Sequence, residues 1–142
     1  MTPRTMTTEA RFWTKVEMPD GPDGCWPFTG AKNNTGYGVF GIDGNLTTGA
    51  HRYAYELLVG PIPEGLHLDH LCRVRHCVNP DHLEAVTQTE NNRRAAALKT
   101  HCPQGHPYEG NNLYVSPRGD RMCRECMRSR TRAWRAERKA VA

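Results

Sequence analysis

Apolar residues along this chain come in short runs, and the spacing within each run predicts a small element of its own. Phe12, Trp13 and Val16 recur at helical intervals, so Glu9 to Glu17 reads as a short amphipathic helix, ended by Pro19 and the Asp-Gly-Pro-Asp-Gly run. Cys25-Trp26-Pro27-Phe28 returns to apolar character and reads as an edge strand, because Pro27 cannot donate to a ladder. Tyr37, Val39, Phe40 and Ile42 precede Asp43-Gly44, a favoured tight-turn pair, and Leu46 to Thr48 returns, so residues 35–48 read as a β-hairpin. The glycines at 36, 38 and 41 weaken its strands or mark bulges. Ala54, Leu57 and Leu58 share one face of a helix over Ala50 to Val59, which Gly60-Pro61 ends. Leu66, Leu68 and His70 share one face of a short strand, and Leu83 to Val86 is long enough to be its antiparallel partner. Thr87-Gln88-Thr89-Glu90 has the T-x-x-E form of a capping box, so a helix should start at Thr87 and run to about Leu98. Met127 to Lys139 lacks proline and glycine and is expected to be helical, whereas the polar start, Met1 to Thr8, is expected to fray.

Composition limits what these elements can build. A chain of 142 residues with a 37% hydrophobic fraction suffices for one small domain and an appendage, not two large cores. No window approaches a membrane span and no N-terminal apolar run resembles a signal peptide, so the expected setting is cytoplasmic, without a membrane partner. In that setting the six cysteines are expected to bind metal rather than to form disulfides. The net charge of +4 is uneven: residues 1–92 hold seven Lys and Arg against eleven acids, and residues 93–142 hold twelve against four. A basic C-terminal third suits an anionic polymer as partner.

The chemistry concentrates between Leu66 and Arg94. Cys72, Cys77 and His82 are spaced as three ligands of a structural zinc, which takes four soft or borderline ligands in a tetrahedron. Candidates for the fourth are Cys25, His67 and His76. Cys25 is favoured because it is the only cysteine outside the two clusters, and its use gives each site three cysteines and one histidine. The loop between the two strands contains Arg73, Arg75, Asn79 and Pro80 and almost no apolar bulk, so zinc, contributing roughly 10–16 kcal/mol, would be what closes it. Closing the loop would fix His70, two residues before Cys72. An imidazole with a pKa near 6.5 can take a proton from water at neutral pH. Asn91, in the first turns of the helix that follows, offers a neutral oxygen to a metal that must also bind phosphate oxygens; Asn92 beside it is a rival. Arg52 and Arg75 are candidates to contact the scissile phosphate, with a surface or backbone-phosphate role as the favoured alternative, while His51, His67 and His76 are assigned surface or structural places.

These residues carry a resemblance. The run D-H-x-C-x4-C-x-N-P-x-H-L, with N-N further on, resembles the HNH endonucleases of the ββα-metal superfamily. His70, Cys72, Cys77, Asn79, His82 and Asn91 together resemble the His-Cys box homing endonucleases, and G-C-W with A-H-R-x-A-Y-E looks like the HNH proteins common in phage genomes. The motif covers roughly residues 69–92 and the looser likeness about 11–126. The resemblance implies His70 as general base, Asn91 as ligand of a single divalent ion such as Mg2+, Asn79 as the residue that pins the loop, and Cys25, Cys72, Cys77 and His82 as the zinc set. It also implies cleavage that leaves a 5′-phosphate and a 3′-hydroxyl. Many members use the residue before the base, here Asp69, as a second metal ligand; His-Cys box members rely mainly on the asparagine. In an ideal strand Asp69 and His70 point to opposite faces.

A second cluster, Cys102-x3-His106 and Cys123-x2-Cys126, resembles a zinc-ribbon or treble-clef module. His101 rivals His106, which is favoured because Gly105-His106-Pro107 reads as a knuckle. Leu113-Tyr114-Val115 and Ser116 to Asp120 look like a small hairpin, and Tyr114 and Trp134 are expected to pack in a core. Arg128, Arg130, Arg132, Arg135, Arg138 and Lys139 then line the last helix and, with Arg73 and Arg75 of the first loop, form the expected DNA-binding set.

The sequence therefore reads as α+β: a small zinc-stabilised ββα-metal (HNH) nuclease core over residues 1–98, then a zinc-binding module with a basic DNA-binding helix over 99–142. The expected function is a metal-dependent DNA endonuclease with two structural Zn2+ and a catalytic Mg2+, acting on double-stranded DNA in the host cytoplasm if phage-encoded. Cutting both strands with one active site would call for a homodimer. The alternatives are a non-catalytic zinc-dependent DNA-binding protein, which would not need His70 with Asn91, and a ribonuclease or toxin of the same fold.

Overall fold

The computed structural model describes residues 6–19, 21, 23–43 and 45–140. Residues 1–5 of the expected frayed start, and Gly44 of the expected Asp43-Gly44 turn, lie outside that set. The chain divides into two compact units, the first ending at Gln88 and the second beginning at Thr89, ten residues before the boundary expected from sequence.

The first unit is built around aromatic rings. Helix α1 (Thr8–Trp13) starts at Thr7, whose hydroxyl accepts from the Ala10 N–H at 3.2 Å, and it ends at Trp13 rather than at Glu17. Strand β1 (Val39–Gly41) pairs antiparallel with β2 (Thr47–Gly49), and helix α2 (Ala50–Leu58) follows at once. Phe12, Phe28, Phe40, Ala50, Ala54 and Val78 form the buried core, with Trp13, Val16, Trp26, Ile42 and Tyr53 packed against it. Phe12 stacks on Phe28 at 5.8 Å and meets Phe40 edge-on at 5.0 Å, geometries that suit the ring quadrupoles. Such rings leave room only for small residues beside them. A Cβ at Gly38 would lie 2.8 Å from the Phe28 ring and 3.0 Å from the Ala50 Cβ, so this glycine serves close approach rather than a bulge. α2 turns Ala50 and Ala54 to the rings and leaves Leu57 and Leu58 exposed, so of the three residues expected to share one face only Ala54 is buried.

Residues 25–28 are not an edge strand. They lie between two neighbours: the Glu17 N–H donates to Pro27 O at 3.0 Å on one side, and the Phe28 N–H to His76 O at 2.8 Å on the other. Pro27 contributes its carbonyl, the one ladder group it has, and the pairing amounts to isolated bridges Val16–Phe28 and Pro27–Cys77. The metal loop therefore joins the core directly. Cys77, Val78 and Asn79 are each fully buried, so the loop carries more apolar burial than its sequence suggests. Strand β3 (Leu66–His70) pairs antiparallel with β4 (Leu83–Thr87) in the register His70–Leu83, with a single turn of 3-10 helix at Pro80–His82 between them.

The second unit opens with helix α3 (Gln88–Ala97), immediately after Thr87, as the capping-box pattern predicts. Its C-terminal carbonyls are gathered by one side chain: the Arg121 guanidinium donates to Ala96 O at 2.6 Å and to Lys99 O at 2.8 Å. Arg121 starts strand β6 (Arg121–Cys123), which pairs antiparallel with β5 (Leu113–Val115). Helix α4 (Arg124–Ala140) then runs without a buried residue. Trp134 is 54% exposed, so the expectation of core packing fails for it. Its ring instead carries the Arg138 guanidinium at 4.7 Å. Among the described residues no helix is long and apolar enough to cross a membrane.

Candidate active site and metal centres

Two sets of thiols and imidazoles converge. Cys25, Cys72, Cys77 and His82 form one, and Cys102, His106, Cys123 and Cys126 the other; within each, the ligand atoms all lie within 4.8 Å of one another. The geometry tests whether zinc fits. Zn–S bonds of about 2.3 Å and Zn–N bonds of about 2.0–2.1 Å in a tetrahedron put sulfur and nitrogen about 3.5 Å apart. In the first set His82 Nδ1 lies 3.5 Å from Cys25 Sγ and 3.6 Å from Cys77 Sγ. In the second, His106 Nδ1 lies 3.5 Å from Cys102 Sγ and 3.3 Å from Cys126 Sγ. Both sets could hold a metal ion, and the donors are those zinc prefers.

The thiols also need a cation. Burial, and then hydrogen bonding with Cys72, pushes the Cys25 thiol up to about 12. Burial, and then Cys102, pushes Cys126 up to about 11. Three crowded sulfurs cannot all ionise unless a positive charge sits among them, so metal uptake would release protons.

Local structure positions each ligand. Asn79 ties the first loop down: its Nδ2 donates to Gly24 O at 2.8 Å, next to Cys25, and its Oδ1 accepts from the Asp81 N–H at 3.0 Å, next to His82. In the second set the knuckle forms as expected, with the Gly105 N–H on Cys102 O at 2.9 Å and a left-handed Gly105 at φ 81°. Asn112 plays the part that Asn79 plays in the first. Its Nδ2 donates to Pro107 O at 2.6 Å and to Cys123 Sγ at 3.4 Å, and its Oδ1 accepts from the Glu125 N–H at 2.9 Å, in the first turn of α4. Asn112 is not among the residues expected from sequence, although its place after a Gly-Asn pair and before a strand marks it as a turn residue.

His70 ends β3, 5% exposed. Its Nε2 lies 3.1 Å from the carbonyl oxygen of Cys77. A carbonyl only accepts, so Nε2 carries the proton and Nδ1 keeps the lone pair. Burial lowers the His70 pKa, outweighing the hydrogen bond to Cys77. The arrangement is a neutral imidazole, held in one tautomer, with a basic nitrogen to spare.

The neighbours of His70 are Asp69, Tyr37 and His51. Asp69 is buried and pairs with Arg73 at 2.8 Å, so Arg73 is engaged within the loop. The His70 ring lies 4.8 Å from that of His51 and 5.6 Å from that of Tyr37. Arg75 donates to Thr35 O at 2.7 Å and sits 5.8 Å above the Tyr37 ring. Arg52 is exposed on α2, one residue past His51. Asn91 is half-buried in the first turn of α3, and Asn92 is exposed. The basic residues of α4 stand exposed along it, with Arg132 3.6 Å from Glu125.

Residues 48–93 match the family model described as HNH endonuclease, a span that begins just before α2 and ends in α3. Over these residues, about a third of the chain, it is similar to the HNH endonucleases. It is also 39% identical over 67 residues to Protein 7.7 of Escherichia phage T7, covering 47% of this chain and 51% of that one. It is 39% identical over 41 residues to an uncharacterized gene 5.3 protein of Enterobacteria phage T3, covering 29% and 41%. Protein 2.8 of phage T7 is 37% identical over 68 residues, covering 48% and 46%. The chain thus spans about half the length of these phage relatives or less. No solved structure matches it.

Proposed function

We propose that the protein is a metal-dependent endonuclease that hydrolyses phosphodiesters of double-stranded DNA. The observation that carries this reading is the His70 tautomer: Nε2 committed to Cys77 O at 3.1 Å, leaving Nδ1 as a base, within a segment that matches the HNH endonuclease model. His70 Nδ1 takes a proton from water, and the hydroxide oxygen forms a bond to phosphorus as the bond from phosphorus to the 3′-oxygen breaks. The departing oxygen takes up a proton from solvent, which leaves a 3′-hydroxyl and a 5′-phosphate. Proton removal of this kind gives about 10²–10⁴-fold.

A bound Mg2+ supplies charge neutralisation at the phosphate. Asn91, a neutral oxygen donor, would hold it, and Asp69 is a second candidate ligand whose carboxylate is already shared with Arg73. Arg52 and Arg75 bring positive charge toward the phosphate backbone. The two thiol–imidazole sets hold structural zinc. The second set, with its hairpin, forms a zinc-ribbon or treble-clef-like module, and the exposed Arg128, Arg130, Arg132, Arg135, Arg138 and Lys139 of α4 bind DNA phosphates.

Incubation with supercoiled plasmid and with RNA, in Mg2+ and in EDTA, tests this. Nicked or linear plasmid in Mg2+ alone is expected. Cleavage of RNA but not of plasmid would make the protein a ribonuclease, and binding without cleavage of either would make it a zinc-dependent DNA-binding protein.

A further inference from the structure

The face of His70 toward α2 is covered by a second imidazole, His51, whose ring lies 4.8 Å from it. Three elements hold this ring. It occupies the first turn of α2, it packs 5.7 Å from Tyr37, and it lies against Gly49, where an added Cβ would stand 2.9 Å from His51 Cε1 and 3.3 Å from its Nδ1. Gly49 thereby leaves room for the imidazole. Nδ1 is sealed from solvent and has no hydrogen-bond partner among the described residues.

That bare nitrogen is informative. A buried polar atom without a partner is a cost that phenylalanine, of similar shape, would avoid. An imidazole at this point therefore has its use at the other nitrogen. A sealed N–H without an acceptor is rarer in proteins than an unshared lone pair, so the proton belongs on Nε2. Nε2 is not among the sealed, unpartnered atoms of the described residues. Burial, and then the electrostatic influence of the His70 ring and of Arg52, holds the His51 pKa down to about 4. The ring is thus a neutral, oriented donor beside the base.

We propose that His51 is a second catalytic residue, donating its Nε2 hydrogen to a non-bridging oxygen of the phosphodiester that water attacks under His70. This rests on the nuclease reading above. A fixed donor aimed at developing oxyanion charge typically contributes about 10²–10³-fold in rate. It needs no proton transfer of its own, and it explains why a helix start in the aromatic half of the unit is part of the site.

The test is plasmid cleavage in Mg2+ by the full chain and by His51→Phe and His51→Gln, with DNA affinity and melting temperature measured on each. His51→Phe keeps the ring volume and loses the donor, and is expected to cut about 10²-fold more slowly with affinity unchanged and a melting temperature no lower than that of the parent. His51→Gln carries an N–H near the Nε2 position and is expected to recover a part of that loss. Cleavage by His51→Phe within about twofold of the parent overturns the proposal. So does an equal loss in both variants, which would make His51 a wall for His70. Should His51→Phe fail to fold, His51→Gln decides alone: activity within about tenfold of the parent supports the donor, and loss of cleavage at native melting temperature overturns it. A parent chain that cuts no DNA fails the nuclease reading itself and removes this role with it.

Discussion

His70 Nε2 and the carbonyl oxygen of Cys77 are 3.1 Å apart, so the proposed base is hydrogen-bonded to the backbone of a residue whose thiol belongs to the first candidate metal set. The tautomer of His70 therefore depends on the loop from Cys72 to His82 keeping its shape. Cys77 is buried, and burial pushes its thiol pKa up despite backbone hydrogen bonds at Asn79 and Trp26, so a bound cation would favour the thiolate.

Metal content follows from this. Two zinc ions per chain are expected on elemental analysis of the purified protein, and one or none contradicts the two-site account. Cys72→Ser should release one zinc and abolish cleavage although Cys72 touches no substrate. Cys123→Ser should release the other and leave the first site loaded.

Asn79 ties the His82 end of that loop to the segment before Cys25, through the Asp81 N–H and Gly24 O, with no exposed surface of its own. Asn79→Ala removes the partner of two part-buried backbone groups, at about 1 kcal/mol each. A lower midpoint in chemical denaturation is expected, together with weaker zinc retention. An unchanged midpoint would mean that the loop is held by metal alone.

The metal sets and the β3–loop–β4–α3 order were legible in the sequence because cysteine and histidine spacing, alternation and the T-x-x-E pattern are local signals. The core was not. Phe12, Phe28, Phe40 and Val78 come from four separate segments, and only tertiary packing shows that Val78, inside a polar loop, is their neighbour. Pro27 misled for a related reason: it excludes a donor, which suggests an edge, yet its carbonyl lets the segment sit between two neighbours. His51 carried one local hint, its place at a helix start after Gly49, but nothing along the chain places it beside His70.

The same His51 makes stability depend on pH. Its pKa is depressed from 6.5 to about 4 by burial, so above pH 6.5 the ring is neutral in both folded and unfolded chains. Between pH 6.5 and about 4 the unfolded chain binds a proton that the folded one refuses, and stability falls with pH by on the order of 3 kcal/mol across that window. Denaturation midpoints from pH 7.5 down to about pH 4.5 should fall less steeply for His51→Phe than for the parent; parallel curves would contradict the assignment. The difference between the two curves reports His51 together with its electrostatic influence on the neighbouring His70.

The basic helix gives a prediction in salt. Residues 127–139 carry six Lys and Arg and one acid on an exposed helix. Each phosphate neutralised contributes a slope of about −0.9 in log affinity against log salt on duplex DNA. Deleting residues 127–142 should weaken binding and flatten that slope, while cleavage at low salt survives. A lower melting temperature or a smaller mass in solution, at unchanged slope, would instead make the helix a packing or subunit element.

The central claim is that His70 acts as the base, and cleavage of supercoiled plasmid in Mg2+ by the parent and by His70→Ala tests it most directly. The Asn91→Ala variant, with Asn92→Ala as its control, reports on the metal separately through its Mg2+ dependence. The account predicts that His70→Ala retains two zinc ions and its DNA affinity and loses cleavage by about 10² or more. Cleavage by His70→Ala at a rate near that of the parent would contradict it.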